Sequence, residues 1–244
     1  MAMSNQAAHS KLGASSMYRW EACPGSVALC APLPSKSSVY ADEGSRVHEL
    51  CARALNGEDP FSLPYSEDNG LEELDAVCLY VETIQKDGAA RGRLFVEQRL
   101  DLSAVYPGCF GTADAILYLP EERLLRVYDF KYGRGVHVAA EDNAQLLYYA
   151  LGAAITLGLP LARVENVIVQ PRCKSKSGAV RRWGVSTIVL LNFWERVVTA
   201  ARRTADPAAE LLPGRHCFFC PGKQICPAHL KSAQEKAKWE FGDL

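Results

Sequence analysis

The sequence predicts an α/β or α+β fold, one sheet with helices packed against it. Three observations carry that expectation. Apolar residues recur with a helical period at first, with a period of two in the middle, and with a helical period again later. The resulting order is helix, three-strand meander, helix, strand pair, helix, as in a sheet with flanking helices. The third is size: 244 residues, 48% hydrophobic and 23% charged with a net charge of −1, can bury a core as one domain over 1–244.

Each element follows from local signals. Residues 1–14 read as flexible. Ser15 or Ser16 caps a short helix through "MYRWEAC", which Pro24 and Gly25 stop. "SVYADEGSRVHELCARALNGEDP" predicts a helix over about 41–55, closed by Asn56-Gly57. A second helix spans roughly 71–86. Period two then takes over in "LFVEQRLDL", "GTADAILYL" and "LLRVYDFKY", with "PEER" (120–123) as a four-residue turn between the last two. "EDNAQLLYYALGAAITLG" returns to a helix, capped by Asp142 or Asn143 and stopped at Gly158-Leu159-Pro160. "ENVIVQP" and "RRWGVSTIVL" are strands around the turn "CKSKSGA", and "LNFWERVVTAARRTA" is an amphipathic helix. A cysteine-rich tail follows Pro207 and Pro213.

Composition narrows the function classes. No apolar run approaches the ~20 residues of a membrane helix, and "MAMSNQAAHSKLGASS" lacks the hydrophobic region of a signal peptide. No membrane association is expected, and the expected compartment is the cytoplasm. Near-neutral charge gives no global attraction to nucleic acid, so DNA binding requires a local basic patch.

Nine cysteines, an odd number without an export signal, argue against a disulfide framework. Cys30, Cys51, Cys78, Cys109 and Cys173 are scattered in apolar contexts and read as small buried hydrophobes. Cys217, Cys220 and Cys226 instead form C-x2-C-x5-C in "CFFCPGKQICP". A closed site needs a fourth thiolate, and Cys23 in "WEACPGS" offers one. Cys23, Cys220 and Cys226 are each followed by proline, a pattern of bacterial iron–sulfur ligation. Zinc is the alternative, with His216 and His229 beside the motif. The expected role is a staple pinning the C-terminal tail to the first helix.

The chemistry concentrates in "VYDFKYGRG" (127–135). Strand alternation turns Asp129 and Lys131 to one face and Phe130 to the other. If Leu119 pairs with Leu124 across "PEER", Asp114 lies opposite Asp129 with Cβ atoms ~5 Å apart. A one-residue slip would separate the acids to opposite faces. Two such carboxylates repel unless a hard divalent cation sits between them. Lys131 would orient a metal-held water, or take its proton if its pKa is lowered. A surface charge cluster has the same pattern. Gln145 and Tyr149 share one face of the next helix, and His48 sits in a helix with a mixed polar face. Glu97 in "VEQRL" reads as a supporting acid or as a partner of Arg99 or Arg93. Cations gather in "QPRCKSKSGAVRRW": Arg172, Lys174, Lys176, Arg181 and Arg182, next to Trp183. They suit a phosphate backbone with base stacking, or a solvated hairpin tip. Arg134 in "KYGRG" falls near the reacting strand. No helix-turn-helix or zinc-finger pattern is present, and sequence-specific readout is not expected.

In order, the helical His48, Gly111–Asp114 as G-x-x-D, Asp129–Lys131 as D-x-K and Gln145–Tyr149 as Q-x-x-x-Y resemble the RecB-like branch of the PD-(D/E)XK nuclease superfamily over about residues 40–150. The resemblance implies a restriction-endonuclease-like core with a mixed central sheet. It implies Mg²⁺ or Mn²⁺ held by His48, Asp114, Asp129 and the Phe130 carbonyl. Lys131 would activate water and stabilise the pentacovalent phosphate, with Gln145 and Tyr149 steadying the lysine and the DNA strand. One cysteine before the core and three after it resemble the iron–sulfur RecB-like nucleases, including AddB-type subunits and CRISPR-associated exonucleases. This implies a [4Fe–4S] cluster on Cys23, Cys217, Cys220 and Cys226. Most of the chain also resembles phage and prophage proteins of this superfamily. A deoxyribonuclease, expected to be an exonuclease, acting in the bacterial host cell in recombination or DNA processing, beside a single-strand annealing protein, is what these likenesses imply. A non-catalytic DNA-binding relative and a zinc-stapled interaction module are the rival expectations.

Overall fold

The computed structural model describes residues 10–34, 38–173 and 175–241. In it the period-two segments become β1 (Arg93–Asp101), β2 (Phe110–Leu119), β3 (Leu124–Phe130), β4 (Arg163–Val169) and β5 (Val180–Ser186). They form one five-stranded sheet in chain order. The first three strands are an antiparallel meander, β4 runs parallel to β3, and β5 is antiparallel to β4. The sheet is therefore mixed. Its one parallel step needs a crossover, which α5 (Ala144–Leu157) supplies.

Helices cover both faces. On one side α1 (Met17–Ala22), α5 and α6 (Thr187–Thr204) pack Trp20, Leu147 and Val197 against Ile116, Val127 and Ile168. On the other, α3 (Val39–Leu55) and α4 (Gly70–Lys86) pack Val47, Tyr80 and Ile84 against Leu117, Tyr128 and Phe130. Alternation along β3 explains the division, since Val127 and Tyr128 bury on opposite sides.

The turn at "PEER" sets the register. Leu119 pairs with Leu124, and pairing continues to Ala115 opposite Tyr128. Arg123 takes a left-handed conformation, φ 49°, and its amide donates to the Pro120 carbonyl at 3.1 Å. Of the two candidate caps for α5, Asn143 is used: its side-chain oxygen accepts from the amides of Gln145 and Leu146.

Several boundaries differ from expectation. Ser38 caps α3 by accepting from the Ala41 amide, so the helix starts at Val39. The second strand of the last pair ends at Ser186, whose hydroxyl caps α6, and residues 187–190 form the helix's first turn. Residues 10–14 are packed: Leu12 and Ala14 are buried, and the Trp20 indole donates to the Gly13 carbonyl. The rest of that segment, 1–9, lies outside the described residues. Beyond Pro24 and Gly25 a short α2 (Ser26–Cys30) follows, and the tail ends in α7 (Pro227–Phe241).

The tail returns to the N-terminal helices. The Gly25 amide donates to the Glu210 carbonyl at 2.9 Å. A Cβ at Gly25 would come within 2.5 Å of the Ala209 carbonyl oxygen, so only glycine admits this approach. Gly222 comes close to Leu29 and Cys30 in the same way. The clasp joins α1 and α2 to the segment that follows α6. Among the described residues no helix is long and apolar enough to cross a membrane.

Candidate metal centre

The site forms where β2 and β3 stop pairing. Beyond Ala115 and Tyr128 the main-chain ladder ends, and the Asp114 carboxylate continues it by accepting the Phe130 amide at 2.8 Å. From α3, His48 places Nδ1 3.4 Å from the same Asp114 oxygen. Its ring stands nearly perpendicular to that of Phe130, with centroids 5.3 Å apart. Glu97 on β1 completes a cluster in which His48, Glu97 and Asp114 each offer a ligand atom, all within 4.8 Å of one another. Glu97 is held at φ 47° inside a strand. Left-handed backbone costs a non-glycine residue about 1–3 kcal/mol and collects at functional sites.

A second group of side chains joins the first through Asp129. This carboxylate is 1% exposed. Lys131 Nζ hydrogen-bonds its Oδ1 at 3.0 Å and lies 2.8 Å from Oδ2, which has no well-directed donor of its own. The ammonium also donates to Gln145 Oε1 at 3.1 Å, and the Gln145 amide donates to the Tyr149 hydroxyl at 3.2 Å. Gly111 lies tight against them: a Cβ there would come 3.0 Å from the Tyr149 ring, which would have to shift by a few tenths of an ångström.

The electrostatics follow from crowded acids. Burial opposes charge on Asp114, but His48, Lys131 and the Phe130 amide outweigh it and lower its pKa. Burial and the neighbouring Asp114 raise the pKa of Asp129 despite Lys131. Burial and Asp114 also raise Glu97. Burial would discharge His48, yet the Asp114 carboxylate prevails and raises its pKa. The Lys131 ammonium is likewise opposed by burial and held by Asp129 and Asp114, so its pKa is raised. Proton abstraction by a neutral Lys131, one of the two roles open from sequence, does not agree with that direction.

These residues fit a hard divalent cation. The Glu97 and Asp114 carboxylates and the His48 imidazole are a donor set that suits Mg²⁺ or Mn²⁺, while Asp129 stands outside that group and is taken up by Lys131. Glu97 is the residue that sequence reasoning left open. Its two candidate partners are occupied elsewhere: Arg93 lies over Phe95 and Arg99 over Phe110. The Phe130 carbonyl belongs to the same β3 end, next to the amide that Asp114 accepts.

The expected DNA-contacting cations are mostly neutralised. Arg172 pairs with Glu43 and Glu72 and stacks on Tyr132, its side chain 7% exposed. Arg182 pairs with Asp87 and Glu165, and Arg134 with Glu72. Arg181 is buried and donates to Gln170, which in turn braces the loop at Gly133 and Val136. These arginines hold the sheet edge and the adjoining loops to α3 and α4 rather than forming a free basic patch. Lys176 is exposed on the hairpin; Lys174 lies outside the described residues.

In the clasp, Cys23 Sγ accepts the Leu212 amide at 3.3 Å and Cys217 Sγ the Gly214 amide at 3.4 Å. Cys23, Cys217 and Cys226 are buried. Cys220 lies 3.8 Å from Cys30, a thiol that had read as an isolated hydrophobe. Among the described residues no three sulfurs come within 4.8 Å of one another.

A family model described as "Protein of unknown function (DUF2800)" matches residues 9–244. Among solved structures, one titled "Crystal structure of SSO0001" aligns over 87% of this chain and 97% of its own, with 15% identity and a TM-score of 0.34.

Proposed function

The chain belongs to the DUF2800 family, and we propose that it is a Mg²⁺- or Mn²⁺-dependent deoxyribonuclease of the RecB-like branch of the PD-(D/E)XK superfamily. We place it in phage or prophage recombination or DNA processing, as an exonuclease with a [4Fe–4S] staple. One observation carries the reading: His48, Glu97, Asp114, Asp129 and Lys131, from four separate elements, converge where β2 and β3 part. Crowded acids beside a half-buried lysine repel one another, and a cation with a phosphate would relieve that repulsion.

His48, Glu97, Asp114, Asp129 and the Phe130 carbonyl would hold the metal. Once bound, the ion supplies a Lewis acid for the phosphate and lowers the pKa of the attacking water. The protein's own part is positional and electrostatic. Lys131, held protonated by Asp129, offers hydrogen bonds to the phosphate oxygens as negative charge develops on them. Gln145 fixes the ammonium's direction and is fixed in turn by Tyr149. Water adds to phosphorus and gives up a proton, the phosphorus–oxygen bond to the leaving nucleotide breaks, and in balance that proton ends on the departing oxygen. The reading of the staple as iron–sulfur rather than zinc rests on the cysteine pattern, Cys23, Cys220 and Cys226 each being followed by proline.

The test uses end-labelled single- and double-stranded DNA and closed circles, with Mg²⁺ or Mn²⁺, for wild-type protein and Asp114→Asn. Metal-dependent loss of label from linear DNA, absent in the variant, is expected. DNA binding without cleavage under every condition would favour the non-catalytic alternative.

A further inference from the structure

Two cavities adjoin along the N-terminal segment. One, about 340 Å³, is bounded by Gly111 and Tyr149 of the metal centre together with Ser10 and Ser16. The other, about 760 Å³, also touches Ser10 and Ser16, and continues past Lys11 and Arg19 to Phe219 and Ile225 of the cysteine tail. The shared serines make them one groove leading from the Tyr149 ring to the clasp.

The lining has a distinct chemistry. No aspartate or glutamate is among the described residues that border either cavity. Lys11 and Arg19 have no carboxylate partner among the described residues; Arg19 donates only to the Ser26 carbonyl, at 3.2 Å. On the opposite side of the molecule Arg172 and Arg182 are neutralised by acids. Phe219 and Ile225 are 58% and 54% exposed, so two large apolar faces stand open at the groove's far end. A duplex offers phosphates on its outside and keeps its bases stacked. An unpaired strand offers both phosphates and free base faces, and pairs a cationic track with aromatic platforms.

We infer that this groove binds a single DNA strand, its phosphates against Lys11 and Arg19 and a base on Phe219, and delivers it past Tyr149 to the metal centre. The inference deepens the nuclease reading above and rests on it for the strand's destination.

The experiment measures fluorescence anisotropy of a labelled oligo-dT of about 16 nucleotides, and of a duplex of equal length, with the full chain in EDTA so that cleavage plays no part. Lys11→Glu with Arg19→Glu should weaken single-strand binding at least tenfold. It should also reduce the slope of log K against log salt by about 0.7 for each cation removed. Phe219→Ala should cost about tenfold through lost stacking, with the duplex changed less than twofold. Arg19 contacts α2 and its variant risks misfolding, so Lys11→Glu and Phe219→Ala alone, both at exposed positions, decide the matter. Unchanged single-strand affinity in those two overturns the groove. Equal losses for duplex and single strand overturn the single-strand assignment. A protein that binds through the groove but cleaves nothing with either metal overturns the nuclease reading and leaves the groove standing.

Discussion

Replacing Glu97 separates its two roles, charge donor and strained backbone. At φ 47° its backbone stores about 1–2 kcal/mol relative to an extended residue. Glycine removes that strain but adds about 0.5–1 kcal/mol of unfolded-state entropy. Glu97→Gln keeps the strain and removes the charge, so comparing Gly with Gln cancels the loss of the carboxylate. The net is roughly 0.75 kcal/mol in favour of glycine, so Glu97→Gly should melt about 2 °C above Glu97→Gln in EDTA, at the 2–4 °C per kcal/mol expected for a chain of this size. Both variants lose one of the three carboxylates near the cation. A ligand that binds only the folded state stabilises it by RT ln(1 + [L]/Kd). Millimolar Mn²⁺ should accordingly raise the wild-type melting temperature and leave both variants nearly unmoved, and cleavage should fall by orders of magnitude in each. The assay is a thermal melt with and without Mn²⁺, alongside nuclease rates. Equal Mn²⁺ stabilisation of wild type and Glu97→Gly would remove Glu97 from the site. A Gly variant less stable than Gln would show that the turn of backbone at residue 97 is not strained.

Lys131→Ala should cut cleavage by orders of magnitude while DNA affinity falls little, because the ammonium is directed at the reacting phosphate; equal losses in both would make it an anchor. Cys23→Ala, Cys217→Ala, Cys220→Ala and Cys226→Ala should each lose iron, sulfide and visible absorbance in anaerobically purified protein, and Cys51→Ala should keep them. Cys30→Ala should also keep them, and loss there with retention in Cys23→Ala would make Cys30 the fourth ligand. Glu73 is buried; burial alone would raise its pKa, but Arg46 and two donors from Ser66 hold it at about 2, below its ordinary 4.5. A depressed carboxyl stabilises the fold above its unfolded pKa, so this contribution is lost as pH falls from about 4.5 to about 2. It amounts to at most about 3 kcal/mol, less the screening at the partly exposed Arg46. Urea midpoints measured across that range should flatten in Glu73→Gln, and an unchanged profile would contradict the assignment.

What the sequence determined by itself was whatever depends on near neighbours. The alternation of "GTADAILYL" and "LLRVYDFKY", joined by "PEER", was enough for the register that brings Asp114 and Asp129 to adjacent strand ends. The spacing of Gln145 and Tyr149 was enough for their shared helix face, and the prolines and cysteines near both ends were enough for a clasp. Turns, caps and periodicity act over a few residues, so they can be read from the chain. Tertiary structure alone decided which charges meet. Glu97 had Arg93 and Arg99 as close sequence neighbours, and joins His48 and Asp114 because the β1–β2 register, Val96 with Ala115 and Gln98 with Ala113, sets it opposite Asp114. Arg172 and Arg182 read as free cations, and are paired instead with Glu43, Glu72, Asp87 and Glu165, from segments 95 or more residues earlier in three of the four cases. The protonation of Lys131 depends on two acids and a buried setting at once. Coulombic partners are chosen by distance in space, and distance in space exists only after the helices have closed on the sheet.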